Sequence, residues 1–379
     1  MDRYLLISAD CHGGPTIAQA RQYLDPELRE DFDAWWADEE GRNHRHLEMT
    51  GMPLFGPEAR AEFESEAAEG LRGAWDSERR LRELDEDGVV AEVIFPQGPL
   101  PFGAGLLTYQ YQQDPAYWLA GCRAQNRWLA DFCAEVPGRR AGVGLVTVDD
   151  IDTTVQEITW LREHGVFGGI MLSSGTGDNP CYNHPRYEPV WAACADLGMP
   201  IHTHSGWTPN YGNHPGSLGI WLHEITWWAH RPLWFLIWSG VFQRHPGLRL
   251  IFTEQRADWL LPTLADLDAQ YERAMFRHLR QTLPLKPSEY FRRNGYVGAS
   301  FMNDGEWQTR YQLGVDRLMW GSDYPHLEGW WPHTAERLAT TFQEVPRKEL
   351  ESMLGRTAAQ VYGFDLNRLL PLAAELGPS

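Results

Sequence analysis

The sequence lacks the features that mark membrane, secreted and thiolate-zinc proteins. It has no run of eighteen uncharged apolar residues, so we expect no membrane span. Its five cysteines are odd in number, widely spaced and never in CxxC spacing, which argues against a disulfide framework and a cysteine zinc site. The opening apolar stretch is too short for a signal peptide. Together these absences predict a cytoplasmic protein.

Basic residues and nucleotide-binding motifs are also scarce. The 379 residues include 33 Lys and Arg against 52 Asp and Glu, which gives a formal net charge of −19. This balance disfavours nucleic acid, whose binding depends on cationic contacts to phosphate. No GxGxxG follows an apolar run, and no GxSxG nucleophile elbow occurs. The expected partner is therefore a small-molecule substrate.

What the sequence does contain is a regular alternation of short apolar runs with amphipathic stretches. Such alternation is typical of right-handed βαβ units around a parallel sheet. Eight units predict a (β/α)8 TIM barrel, formed as a single domain over residues 1–379, and the alternative of an open doubly wound sheet lacks its glycine motif. The predicted strands are Tyr4–Ala9, Val89–Phe95, Ala141–Val146, Gly169–Ser173, Pro200–His204, Leu248–Thr253, Gly295–Phe301 and Arg317–Ser322.

Two long segments interrupt the repeat, one after strand 1 and one after strand 5. Residues 13–80 are polar and charged, whereas residues 206–245 are dense in tryptophan. Both follow a strand, so both are expected on the catalytic face of a barrel. We interpret them as insertions that form a lid, a pocket wall or a subunit interface. A buried helix pair packed on the barrel is the alternative for the tryptophan-rich segment.

Acidic and imidazole side chains stand at the carboxyl ends of four predicted strands. Asp10 and His12 follow strand 1, and alternation along a strand puts them on the same side. His204 ends strand 5, Glu254 ends strand 6 and Asp323 ends strand 8. Strand ends of one barrel face a shared site. The set predicts a metal site, with a hydrogen-bonded acid and histidine cluster without metal as the alternative.

The motifs around these positions resemble the amidohydrolase superfamily, in its amidohydrolase-2 or aminocarboxymuconate-semialdehyde decarboxylase-like branch. The resemblance covers nearly the whole chain and is most specific in "MPIHTHSG" and "LMWGSDYPH". Further similar stretches are "ISADCH", "FQRHPGLRLIFTEQRADWL" and "GRTAAQVYGFD". The resemblance implies a metal-dependent barrel enzyme, and related enzymes are commonly homodimers.

Carried over residue by residue, the resemblance implies four metal ligands, which are Asp10, His12, His204 and Asp323. The branch often has a histidine where this chain has Glu254. The carboxylated lysine that bridges two metals in binuclear relatives is also missing, since strand 4 reads "GGIMLSS". We therefore expect one divalent ion, and a mixed oxygen and nitrogen ligand set suits Zn²⁺ or Mn²⁺.

Two reactions are compatible with such a site. The first is non-oxidative decarboxylation of an aromatic or unsaturated carboxylic acid, with a proton delivered by Asp323 or Glu254. The alternative is hydrolysis of a lactone, ester or amide by a metal-bound water, with Asp323 as the base and assistance from Glu254 or His326. A non-enzymatic binding barrel is a third reading, because fold alone does not set function.

The sequence also offers candidates for contacts around the reacting groups. We expect His326 to assist catalysis, through an orienting hydrogen bond rather than as a ligand. Four residues are candidates for substrate binding, although for one of them, Arg256, a surface or structural ion pair is the alternative. These four are Arg256, His202, Phe95 and Trp207.

Overall fold

The structure, a computed structural model, describes residues 3–38, 71–97, 100–103, 114–204, 208–209, 211–212, 214–300, 302–326 and 329–379. Eight parallel strands form one sheet in the order β1 to β8. All eight predicted strands are present. Their bounds are β1 Leu6–Gly13, β2 Val89–Pro96, β3 Arg140–Leu145, β4 Gly169–Met171, β5 Ile201–Thr203, β6 Leu250–Thr253, β7 Gly295–Ser300 and β8 Leu318–Gly321.

The sheet closes into the predicted barrel where β8 meets β1. Cys11 forms a parallel bridge with Tyr324. The amide of His12 donates to the carbonyl of Tyr324 at 2.7 Å, and the amide of Asp323 donates to the carbonyl of Asp10 at 2.9 Å. The two strand ends that carry candidate ligands are thus joined directly through their backbones.

Strand β1 is longer than predicted at its carboxyl end. The expected run stopped at Ala9, whereas the observed strand continues to Gly13 and is buried throughout. The polar residues do not end the strand because neighbouring strands satisfy them. Ser8 Oγ, for example, accepts a hydrogen bond from the amide of Ser322 at 2.9 Å. Asp10 and His12 are therefore held by strand geometry rather than by a loop.

Helices surround the barrel, and aspartate caps begin several of them. Asp76, Asp114 and Asp150 each accept a hydrogen bond from a backbone amide of the first helical turn. Gly198, with φ 65°, ends the helix that precedes β5. The helices are α1 Ile17–Tyr23, α2 Arg29–Ala37, α3 Ser77–Glu86, α4 Pro115–Ala134, α5 Ile151–Glu163, α6 Glu188–Leu197, α7 Ser217–His230, α8 Pro232–Trp238, α9 Val241–Arg244, α10 Leu260–Glu272, α11 Pro287–Asn294, α12 Asp304–Trp307, α13 Arg310–Leu313, α14 Thr334–Thr341, α15 Arg347–Glu351, α16 Thr357–Tyr362 and α17 Leu366–Leu376.

The two long segments contribute helices outside the βα repeat. The first contains α1 and α2, which pack on α4 through a small apolar cluster around Phe32, while its residues 39–70 lie outside the described part. The second contains α7, α8 and α9. Leu233 and Leu236 of α8 are fully buried, whereas Leu222 and Trp227 of α7 are exposed. The lid role of these segments stays a prediction. Among the described residues, no helix has the length and apolar character needed to cross a membrane.

Candidate metal centre at the carboxyl ends of the strands

Five acidic and imidazole side chains from four strands come together at one end of the barrel. His12 Nε2 lies 3.0 Å from Asp323 Oδ1 and 3.4 Å from Asp10 Oδ1. His204 Nε2 lies 3.0 Å from Glu254 Oε2 and 3.8 Å from Asp10 Oδ1. One ligand atom from each of Asp10, His12, His204 and Glu254 falls within 4.8 Å of the others. The proximity predicted from the strand ends is therefore present.

The seam between β7, β8 and β1 fixes the orientation of Asp10. Ser300 at the end of β7 donates a hydrogen bond to Asp10 Oδ2. Gly321 at the end of β8 packs so closely that an added Cβ would lie 2.7 Å from Asp10 Cβ. The strand ends can approach this closely only because residue 321 has no side chain. As a result, Asp10 Oδ1 is turned toward the two histidines.

The turns that carry the other carboxylates have an unusual backbone. Glu254 has φ 54°, Arg256 has φ 60° and Asp323 has φ 60°. In the described part of the chain, Phe102 is the only other non-glycine residue in this left-handed region. Such conformations persist where the surroundings impose them, and they concentrate at functional sites. Here they aim two carboxylates from strand ends at the same point.

Burial and mutual contacts shift the pKa values of these groups. Burial, helped by the neighbouring His326, lowers the pKa of His12 to about 3, so its ring is neutral. Burial alone would lower the pKa of His204, but the neighbouring carboxylates of Asp10 and Glu254 raise it because they stabilise the charged ring. Burial would raise the pKa of Glu254, but the contact with His204 lowers it. Burial raises the pKa of Asp323. A neutral imidazole is the form that binds metal.

The donor set fits a divalent cation. Asp10 Oδ1 and Asp323 Oδ2 are buried and have no hydrogen-bond partner among the described residues. A buried carboxylate oxygen without a partner is costly, typically about 1–3 kcal/mol or more, unless a ligand or ion satisfies it. Carboxylate oxygens and imidazole nitrogens converge from four strands, which is the chemistry of a Zn²⁺ or Mn²⁺ site.

Two further predicted residues border this cluster. His326 stacks on the ring of His12 at 4.0 Å, and its Nδ1 lies 2.9 Å from Asp323 Oδ1. The contact suits an orienting role, but His12, Asp323 and His326 also each offer a ligand atom within 4.8 Å of the others, so the role of His326 stays a prediction. Phe95 is fully buried, with its ring centroid 5.2 Å from that of His204. Phe95 thus forms an apolar wall beside the histidines.

The remaining predicted substrate contacts are placed differently. Arg256 has 59% of its side chain exposed and pairs with Asp258 at 3.1 Å, so it forms a surface ion pair. His202 is fully buried, with Nε2 2.9 Å from the carbonyl of Gly168 and Nδ1 3.3 Å from Thr253 Oγ1. Both of its ring nitrogens are therefore engaged inside the barrel. Trp207 lies outside the described residues. Substrate binding by these three residues stays a prediction.

Sequence reasoning missed two residues that shape the site, Ser300 and Gly321. A serine at the end of a strand and a glycine before a turn are common, so neither gave a signal by itself. Their importance arises from contacts with Asp10, about 290 and 311 positions away along the chain. The "WGSD" stretch did attract attention, but only for its aspartate.

Comparison with known proteins connects this geometry to a family. The family model described as amidohydrolase matches residues 10–364. A γ-resorcylate decarboxylase from Rhodococcus jostii is 28% identical over 271 residues, covering 64% of this chain and 76% of the relative. A 2-amino-3-carboxymuconate-6-semialdehyde decarboxylase from Dictyostelium discoideum is 24% identical over 300 residues, which cover 78% of this chain and 79% of the relative.

A solved structure extends the comparison to the fold. The 5-carboxyvanillate decarboxylase of Novosphingobium aromaticivorans, determined with bound manganese, superposes with a TM-score of 0.72 at 19% identity, covering 95% of this chain and 97% of that one. The shared barrel and the match across residues 10–364 agree with the resemblance carried by the sequence motifs. The chain belongs to the amidohydrolase family.

Proposed function

We propose that the protein is a metal-dependent decarboxylase that removes carbon dioxide from an aromatic or unsaturated carboxylic acid. The observation that carries the proposal is the cluster of Asp10, His12, His204, Glu254 and Asp323, with partnerless buried carboxylate oxygens directed into it. The two curated relatives named above are decarboxylases of acids of this kind. Their names support the reaction class and leave the substrate to be measured.

Four residues are proposed to hold one divalent ion, namely Asp10, His12, His204 and Asp323. Zn²⁺ and Mn²⁺ both suit mixed carboxylate and imidazole ligands, and Mn²⁺ is favoured where carboxylates are numerous. The carboxyvanillate decarboxylase structure contains manganese. When bound, a divalent ion supplies a Lewis acid that orients and polarises substrate oxygen atoms.

The protein's own carboxyl groups are proposed to move the proton. Glu254 has 26% of its side chain exposed, whereas the side chains of Asp10 and Asp323 have none. Glu254 is therefore the carboxyl group that a substrate reaches first. We propose that it comes within hydrogen-bond distance of the reacting atom, as proton transfer requires. His326 holds Asp323 Oδ1 and so fixes the second carboxyl group beside it.

The step balances as an exchange of a proton for carbon dioxide. A carboxyl group of the protein transfers its proton to the carbon that bears the substrate carboxylate, and a C–H bond forms there. The C–C bond to the carboxylate then breaks, its electron pair returns to the conjugated system, and carbon dioxide leaves. Phe95 keeps one side of the cluster apolar, which favours a flat, electron-rich substrate.

The test is release of carbon dioxide from a panel of hydroxybenzoates, methoxy-hydroxybenzoates and muconate-type acids by the Mn²⁺-loaded protein. We expect release from at least one acid in the wild type and none from His204→Ala. His164→Ala is the matched control, because His164 is an exposed histidine at the C-terminal end of α5, away from the strand ends that carry the cluster. No release across the panel, together with cleavage of lactones or esters, would replace this proposal with the hydrolase alternative.

Location, assembly and the role of the long segments remain proposals. The five cysteines are unpaired in the structure. We propose a cytoplasmic homodimer, with residues 13–80 and 206–245 shaping the pocket entrance. Sedimentation velocity of the purified chain measures the assembly state. A monomer at all concentrations would exclude the homodimer.

A further inference from the structure

A fully buried cation lies directly behind the candidate metal centre. Arg80 of α3 has no solvent exposure. Its Nε and Nη2 donate to the two carboxylate oxygens of Glu92 on β2, at 2.7 and 2.5 Å. Such a pair is expensive to bury and is retained only where its geometry is fully used. The paired carboxylate explains how the charge is tolerated but not why the cation is there.

The remaining donors of Arg80 point to two backbone carbonyls, one of them on the ligand-bearing strand β1. Its Nη1 donates to the carbonyl of His12 at 2.7 Å and to the carbonyl of Gly73 at 2.9 Å. The guanidinium also lies over the ring of Tyr324, 5.0 Å from its centroid. Tyr324 directly follows Asp323 and donates its hydroxyl hydrogen to Glu83 of the same helix. Arg80 therefore contacts both the backbone of His12 and the ring of Tyr324, the residue that follows Asp323.

These contacts constrain one of the two closest pairs in the five-residue cluster, His12 and Asp323. His12 Nε2 and Asp323 Oδ1 are 3.0 Å apart, and small rotations of either peptide would change that distance. A planar guanidinium with five fixed donors holds a carboxylate and two carbonyls at once, which a lysine ammonium cannot do with the same geometry. The position of His12 is thereby tied to α3 and β2, not only to β8.

We propose that Arg80 is a positioning residue for the metal centre, which sets the affinity for the ion by fixing the backbone of His12 and the ring of Tyr324 beside Asp323. This inference rests on the proposed function, because it takes His12 and Asp323 to be ligands. It assigns a functional role to a residue that touches neither substrate nor ion.

A neighbouring arginine provides the matched control. Arg140 of β3 is also buried and also faces Glu92, at 3.5 Å from Oε1. Its hydrogen bonds within the described residues go to Ser77 and to the carbonyl of Phe132, which lie away from β1 and β8. Replacement of Arg140 disturbs the same buried charge network without releasing a ligand-bearing strand.

The experiment titrates the metal-free full-length chain with Mn²⁺ and follows the free ion by its electron paramagnetic resonance signal. Arg80→Lys is expected to weaken Mn²⁺ binding by about 10- to 100-fold, as loss of outer contacts to metal ligands usually does. Arg140→Lys should bind Mn²⁺ within about twofold of the wild type. Thermal unfolding of both variants checks that each is folded at the temperature of the titration.

Each outcome decides between the proposals. Wild-type affinity in Arg80→Lys, or equal weakening in Arg140→Lys, would overturn the role of Arg80 and leave the metal centre intact. No Mn²⁺ or Zn²⁺ binding by the wild type would instead overturn the proposed centre. If Arg80→Lys is unfolded, Glu92→Gln is titrated in its place. There the guanidinium of Arg80 loses the carboxylate that fixes its orientation toward the carbonyl of His12, so several-fold weaker binding supports the proposal and unchanged binding refutes it.

Discussion

Gly321→Ala is expected to damage the metal centre by displacing Asp10. The added Cβ would lie 2.7 Å from Asp10 Cβ, 3.1 Å from the Asp10 amide nitrogen and 3.1 Å from Ser300 Oγ. Ordinary carbon contacts begin near 3.5 Å. The variant therefore requires a shift of roughly 0.8 Å between β1 and β8, in a barrel whose strands are fixed on both sides.

The size of the effect follows from what this shift breaks. Overpacking of this kind costs about 1–3 kcal/mol of stability. Movement of Asp10 also strains its hydrogen bond from Ser300, which keeps Oδ1 turned toward His12 and His204. Loss of such an outer contact typically lowers metal affinity about 10- to 100-fold. We expect both effects together, because one displacement causes them.

Urea unfolding of the metal-free protein and Mn²⁺ titration measure the two effects separately. Gly247→Ala is the control, since an added Cβ there meets nothing within 4 Å and the residue has no positive φ. This control should be unchanged in Mn²⁺ affinity. Wild-type stability and affinity in Gly321→Ala would show that β8 does not hold Asp10, and the explanation of the "GSD" stretch would be wrong.

Three further perturbations test the site and its surroundings. Glu254→Gln keeps the size of the side chain but cannot carry the proton, so we expect Mn²⁺ affinity near that of the wild type with turnover reduced by about 100-fold or more; normal carbon dioxide release would return Glu254 to a structural role. Chelation should abolish turnover, and Mn²⁺ at about 100 times its Kd should raise the free energy of unfolding by about 2.7 kcal/mol, as measured by urea unfolding; full turnover of metal-free protein would contradict the metal requirement. Burial raises the pKa of the Glu306 carboxyl from 4.5 to about 7, so the folded protein binds this proton more tightly than the unfolded chain and stability falls as pH rises through that window. Glu306→Gln should remove a loss on the order of 3 kcal/mol between pH 4.5 and 7, and an identical pH dependence of unfolding in variant and wild type would refute the shift.

The fold could be predicted from the sequence because each strand of a closed parallel barrel is buried on both faces. Such strands appear as continuous apolar runs, and eight of them at regular intervals leave few arrangements. The strand boundaries were harder to predict where polar residues extend a strand. At β1 the run stopped at Ala9, since nothing in the sequence shows that Ser8 and Asp10 are satisfied by β7 and β8.

The residue types of the candidate site could be predicted for a different reason. Acids and histidines at the ends of apolar runs are conspicuous, and barrel topology brings strand ends together whatever their separation in sequence. The residues that contact and orient the candidate ligands could not be predicted. In the "SERRLRELDE" stretch Arg80 could be an ordinary arginine on a helix surface. Only the structure shows that Arg80, among the arginines of this stretch, faces inward to His12 and Glu92. Sequence patterns thus indicate candidate ligands more readily than the side chains that contact and orient them.

The backbone at residue 254 supports a chemical role for its side chain. Asp and Asn are enriched in the left-handed region, but glutamate is not, so Glu254 is the more strained of the two site carboxylates. The turn holds this conformation through its surroundings: the Glu254 amide donates to the carbonyl of Gly298 at 2.9 Å, and the Gln255 side chain donates to the carbonyl of Thr203 at 2.6 Å. Glycine would adopt the same turn without the strain of about 1–3 kcal/mol. A carboxylate held in a strained turn 3.0 Å from His204 Nε2 is what the proposed proton transfer by Glu254 requires.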